Sequence, residues 1–316
     1  MPSGKEIKSR IKSIKNTGKI TKAMELVSAA KMRKAVARTF LAREYATAAE
    51  ALLKKISHLG SLSSAGEGWG EVFAKGKGDK LLLIVITSNK GLCGGYNTQV
   101  LKLAAERIKQ YGRERTDIVS IGSKGKIALA RLGSSLIASF TELPEMPTSR
   151  DVAPIANYID KQYASGEYAK VELFYTHYVS ALTQTPTHKV IVGDTSSQPS
   201  PAEGKEPDAT RSAATPSPSQ ERAGVRFSET QTDYIIEPSQ GAILPNLLRH
   251  LSKQRFYHAL LESLASEHSA RMVAMKNAKE SAEEMIDELG LAYNKARQAS
   301  ITQEISEISA GMAAVS

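Results

Sequence analysis

Cysteine is nearly absent from this 316-residue chain, which has a single thiol at Cys93. An internal disulfide is thereby excluded, and a reducing compartment is the expected setting. Long apolar runs are missing as well. The longest, LLLIVI from Leu81 to Ile86, falls far short of the roughly 20 residues that cross a bilayer. The N-terminus MPSGKEIKSR has no apolar segment behind it, and no Arg- and Ser-rich stretch precedes Ser3, so neither a secretory signal nor a transit peptide is expected. Catalytic motifs are equally scarce. The six histidines (His58, His177, His188, His250, His258 and His268) show no H-x-x-x-H or paired-Cys spacing, and no G-x-S-x-G elbow occurs. The expectation is a chain with no catalytic residues, no cofactor and no metal.

What is present is a soluble composition, 41% hydrophobic and 24% charged, with a net charge of +9. That charge is concentrated. Residues 1–38 carry eleven Lys/Arg against Glu6 and Glu25, and the rest of the chain balances thirty-one of each sign. Any partner attracted by this charge meets it on one N-terminal segment. Ser3 and Glu6 form a capping-box pattern. From there to about Ser57 no proline interrupts a series of apolar residues at helical spacing: Ile7, Ile11, Ile14, then Ile20, Met24, Val27. The first segment, 1–58, is therefore expected to be one long coiled-coil helix.

The glycine-rich stretch Gly60 to Lys80 ends that pattern. Apolar strand-like runs then alternate with amphipathic segments, predicting strands at Leu81 to Thr87, Thr116 to Gly122, SLIASF and Lys170 onward. Segment 80–194 is expected to be a Rossmann-like α/β domain with a largely parallel sheet. Residues 195–223 hold five of the twelve prolines and no aromatic side chain, the composition of a disordered insertion. A second long helix is expected over 239–316, its apolar positions drifting instead of holding a strict heptad. The fold class is α/β, with two terminal helices paired as an antiparallel coiled coil.

SNKGLCGGYN (Ser88 to Asn97) lies where a Rossmann fold holds a pyrophosphate, but its spacing is not G-x-G-x-x-G. A tight structural turn is the simpler reading, with a cofactor turn as an alternative. The basic N-terminal helix leaves three readings open: nucleic acid, an acidic protein surface, or a solvated face.

Three stretches resemble a known family: Ile7 to Ala35 (IKSRIKSIKNTGKITKAMELVSAAKMRKA), SNKGLCGGYN, and Glu262 to Gly311 with its segment ARQASIT. They are similar to gamma subunits of F-type ATP synthases of the bacterial type. The resemblance implies a non-catalytic rotor shaft turning inside a hexamer of alpha and beta subunits. Its α/β domain would meet the epsilon subunit and the membrane c-ring. It also implies peripheral attachment on the cytoplasmic face of a bacterial inner membrane. It assigns contact with the beta subunit to Lys22, Met24, Lys31, Arg33, Lys34, Arg297, Gln298 and Thr302. Tyr234 and Glu237, in DYIIEP, would approach the ring or epsilon at the foot. The 195–223 insertion lies where photosynthetic relatives carry a regulatory element, yet it contains no cysteine, so thiol switching is excluded. The competing reading is a nucleic-acid-binding coiled-coil protein with a Rossmann-like domain.

Overall fold

A computed structural model describes residues 4–59, 78–133, 135–192 and 240–315. Tyr234, Glu237 and the 195–223 insertion lie outside the described residues. Helix α1 (Gly4–Leu59) is followed by a five-stranded sheet with its helices, and helix α5 (Gln240–Val315) ends the described chain. At 1.5 Å per residue these two helices are about 84 and about 114 Å long.

They run antiparallel. Gly4 sits against the Tyr293 ring, Gly18 against Ala282, Arg43 against Glu262, and Tyr45 against His250. On α1 the side turned to α5 repeats every seven residues: Ile7, Ile14, Thr21, Ser28 and Ala35 are buried or half-buried, and so are Ile11, Gly18, Glu25, Met32 and Thr39. On α5 the matching seam is Met275, Ala282, Leu289 and Ala296, with Lys279, Ile286 and Tyr293. This is a heptad, so the expected drift of register is corrected. The drift came from reading apolar residues alone. Between Gly18 and Thr39 the seam is made largely of small and hydroxyl side chains, which let the axes approach. The buried hydroxyls donate back to their own helix, Thr21 to Gly18 O at 3.0 Å and Thr39 to Ala35 O at 3.0 Å.

The sheet has the order β3-β2-β1-β4-β5. Strands β1 (Lys80–Ile86), β2 (Thr116–Ile121), β3 (Ser135–Phe140) and β4 (Tyr168–Tyr178) are parallel, and β5 (Gln184–Val192) pairs antiparallel with β4 at the edge. The central strand β1 is buried on both faces, hence its unbroken apolar run from Leu81 to Ile86. β5 has no such run and contains Pro186, tolerable only where one side needs no ladder partner. For that reason it escapes a reading by hydrophobic pattern. Helices α2 (Tyr96–Tyr111) and α3 (Ser123–Arg131) cover one face through Val100, Ala104, Ile108 and Leu129. The other face is covered by α4 (Ser149–Ala164) through Val152, Ile155 and Ile159, and by α5 itself through Phe256, Ala259 and Leu260. The long helix is thus a structural layer of the α/β domain.

Candidate functional site

Where α5 crosses the sheet its sequence is ESLASEHSAR, short in large apolar residues because both α1 and the sheet press on it. Ser263, Ser266 and Ser269 are fully buried. Each finds a partner in the α/β domain, as buried hydroxyls must. Ser263 Oγ lies 2.6 Å from Tyr96 Oη, Ser266 donates to Thr176 O at 3.2 Å, and Ser269 donates to Ala181 O at 2.5 Å. Immediately before the first of them, Glu262 is 1% exposed and joins three elements. Its carboxylate accepts from Arg43 of α1 at 3.3 Å, lies 3.0 Å from His177 Nδ1 of β4, and 3.8 Å from His258 on its own helix. Burial alone would raise the Glu262 carboxyl, but the hydrogen bond and charge of His177, then the charge of His258, hold it below the ordinary range. The histidine spacing in the sequence points to no site, and nothing there links His177 or His258 to Glu262. His177 and Arg43 lie 85 and 219 positions from Glu262 and meet it only in the fold, whereas His258 is its neighbour one helical turn away.

The glycine turn is the second junction. Asn97 Nδ2 donates to Ser88 Oγ at 2.8 Å and to the buried Cys93 Sγ at 3.2 Å, closing the turn internally. Arg271 of α5 donates to two of its carbonyls, Lys90 O at 3.1 Å and Gly91 O at 3.3 Å, and to Glu267 at 2.8 Å. A phosphate-holding turn offers N–H groups to an anion. Here the carbonyls are turned toward a guanidinium of the same chain, so the turn docks the domain on α5.

A third junction is the strap of residues 141–148 after β3. Glu145 pairs with Lys31 of α1 at 2.7 Å and Lys90 of the glycine turn at 3.6 Å. Arg38 donates to Met146 O at 3.2 Å, and Tyr257 donates to Pro147 O at 3.3 Å. Lys31, one of the cations the resemblance assigns to a partner, is therefore paired within the chain. Lys22, Arg33 and Lys34 are exposed, and Met24 is half-buried. Ile20 and Val27 leave the seam and are 60% and 53% exposed, although their spacing marked them as the apolar face of α1. With Met24 they line one wall of a cleft between α1, the strap, the glycine turn and α5.

The end of α5 is unlike the rest. α1 is described from Gly4, which faces Tyr293, and α5 continues to Val315, about 33 Å further. Arg297, Gln298 and Thr302 are exposed there, and Thr302 Oγ1 donates to Gln298 O at 2.9 Å. Ile301, Ile305, Ile308 and Met312 form an exposed stripe. The polar side chains between them bond along the helix: Ser300 to Glu304 at 3.2 Å, Gln303 to Glu307 at 2.9 Å, and Ser306 to Thr302 O at 2.9 Å. No helix of the described residues is long and apolar enough to cross a membrane.

The model of a family described as ATP synthase matches residues 3–315. The chain is 36% identical over 315 residues to the ATP synthase gamma chain of Pelotomaculum thermopropionicum, covering 100% of both. With the ATP synthase gamma chain of Herpetosiphon aurantiacus it shares 39% over 325 residues, covering 100% of this chain and 99% of the other. Among solved structures, a chain of the Tetrahymena thermophila mitochondrial ATP synthase central stalk and c-ring aligns with a TM-score of 0.58 at 23% identity, over 82% of this chain and 99% of that one. A chain of the Euglena gracilis mitochondrial ATP synthase, in a structure of OSCP, F1 and c-ring, gives 0.63 at 16% identity, over 99% and 94%. At those identities the likeness is one of fold.

Proposed function

The chain belongs to the ATP synthase gamma chain family, and on that premise we propose that it is the central shaft of a rotary ATP synthase. The observation that carries the reading is the tip of α5. The end of α5, about 33 Å past the point where the described part of α1 faces it, carries exposed isoleucines that need a surrounding surface, and the hexamer of alpha and beta subunits supplies one. Its hydroxyl and amide side chains bond along the helix, leaving few groups to fix it at one angle. The shaft comprises 1–58 and 239–316, the Rossmann-like domain 80–194, and the insertion 195–223.

In this reading the chain is a non-catalytic subunit of the ATPase complex. It transmits rotation between the c-ring and the beta-subunit sites, so that ion flow drives ATP synthesis or hydrolysis drives rotation. The Glu262 hub, the Arg271 fork and the Glu145 strap would make domain and shaft turn together. Lys22, Met24, Arg33 and Lys34 on α1, with Arg297, Gln298 and Thr302 on α5, are the proposed contacts with beta. Lys31 joins them only if it exchanges Glu145 for an acidic group of beta. Tyr234 and Glu237 are the proposed contacts with the ring or epsilon, and the location is the cytoplasmic face of a bacterial inner membrane. The test is reconstitution with the alpha–beta hexamer, scoring ATPase activity with and without the full chain. Stimulated, sustained turnover is expected. A chain that does not assemble, or that binds DNA in a strongly salt-dependent way instead, would overturn the reading.

A further inference from the structure

The lysines of α1 from Lys5 to Lys22 lie in one row. Lys5, Lys8, Lys12, Lys15, Lys19 and Lys22 follow one another at alternating steps of three and four, the spacing that stacks side chains along one side of a helix. The row spans about 26 Å, and every residue in it is exposed. It runs about a quarter-turn round α1 from the seam positions Ile7, Ile11, Ile14 and Gly18, and α5 leaves it uncovered. None of these lysines forms an ion pair with another described residue. Like charges three and four positions apart on a helix repel, so the row lowers the stability of α1. An anionic surface outside the chain would offset that loss.

The partner helix has the opposite sign. Gly4 sits against Tyr293 and Gly18 against Ala282, so the row runs beside a stretch of α5, Glu280 to Tyr293, that contains acidic residues and no Lys or Arg. Glu284, Asp287 and Glu288 are exposed there, on the side of α5 turned away from its seam. The coil is therefore positive on one flank and negative on its back. A long polyanion reaching past the row would meet these carboxylates, and α1 has no aromatic residue before Phe40 on which a base could stack. We propose that the row docks on a carboxylate-bearing protein surface, the wall of the alpha–beta hexamer, with the acidic back of α5 directed away from it. The inference rests on the chain being the shaft of that complex. Such pairs are individually weak and screened by salt, and together they act chiefly on the rate of association. Because the row occupies one flank only, the subunit it faces changes as the shaft turns.

The test is the rate at which the purified full chain associates with the alpha–beta hexamer, measured across a range of salt. For the wild type the rate constant should fall at least about tenfold between about 0.05 and about 0.5 M salt. Lys8→Gln combined with Lys12→Gln, Lys15→Gln and Lys19→Gln should slow association about tenfold at low salt and remove most of the salt dependence. Its melting temperature should equal or exceed that of the wild type, because the repulsion is relieved. The mirror variant, Glu284→Gln with Asp287→Asn and Glu288→Gln, should associate as fast as the wild type or faster. A lysine variant as fast as the wild type overturns the proposal and leaves the shaft reading standing. Equal slowing by both variants overturns it too, as does tight binding of duplex DNA by the wild type that the lysine variant loses. A wild-type chain that does not associate at any salt overturns both readings. Should the lysine variant fail to fold, the salt dependence of the wild type and the mirror variant still decide.

Discussion

At His268 the fold holds a histidine uncharged, and this makes stability depend on pH. Its folded value, about 4, lies below the ordinary 6.5. Between these values the unfolded chain binds the extra proton, so stability is full above 6.5 and falls as pH drops toward 4. The full linkage is ~3 kcal/mol. His258, lowered by burial, acts in the same direction. Glu267 opposes them, since burial raises its carboxyl above the ordinary 4.5 and protonation then favours the fold. Thermal melting of the full chain should show a loss from pH 6.5 to 4 that is shallower in His268→Gln. A slope identical to wild type would count against the neutral ring. Glu262 adds a second window. Its folded value is below the ordinary 4.5, so its contribution is complete above 4.5 and is lost as pH falls through the folded value. Glu262→Ala leaves His177 and His258 without their carboxylate, while Arg43 can turn to solvent. A loss of about 2–3 kcal/mol in chemical denaturation is expected at pH 7, and none would mean that the hub is dispensable.

Along the helices, position in the heptad outweighs the hydrophobicity of a single residue. Ser28 is buried in the seam and Ile20 is mostly exposed beside it. Ser28→Leu should destabilise the chain by about 1–3 kcal/mol through overpacking, while Ile20→Ser should change stability by no more than about 0.5 kcal/mol. Denaturant midpoints would compare the two, and the reverse order would refute this seam. The tip of α5 gives a different kind of contrast. Ile305→Asp should leave the melting of the isolated chain unchanged, because the side chain is exposed beyond the described part of α1. It should nevertheless impair assembly or turnover with alpha and beta subunits, and normal assay values would show that the stripe needs no cover. Much of this architecture is legible from residues alone. The strands LLLIVI, TDIVSI and SLIASF announce themselves as apolar runs, and the proline-free stretch from Ser3 announces α1. The seam is harder to read because Thr21, Ser28 and Ala35 carry no hydrophobic signal, and β5 because its pattern is broken by Pro186.

For the molecule as a whole, the α/β domain and the coiled coil form one structure because α5 is both a layer over the sheet and half of the coil. The contacts proposed for the beta subunit fall above this junction on α5 and beside it on α1. Replacing Arg297 and Gln298 together by alanine should lower the ATPase rate of the reconstituted complex several-fold. The same variant should leave the melting of the isolated chain unchanged, since both residues are exposed beyond the seam. Unaltered turnover would remove them from the working surface. By itself the sequence determined the class of fold, the family, the two long helices and the low-charge end of α5, because each depends on local periodicity or on a contiguous motif. Tertiary structure alone decided which small residues form the seam, that Lys31 is held by Glu145, that the glycine turn grips Arg271, and that Glu262 meets His177 and Arg43. The reason is physical: these contacts join residues as many as 219 positions apart, and a one-dimensional pattern carries no record of which distant partner will neutralise a buried charge.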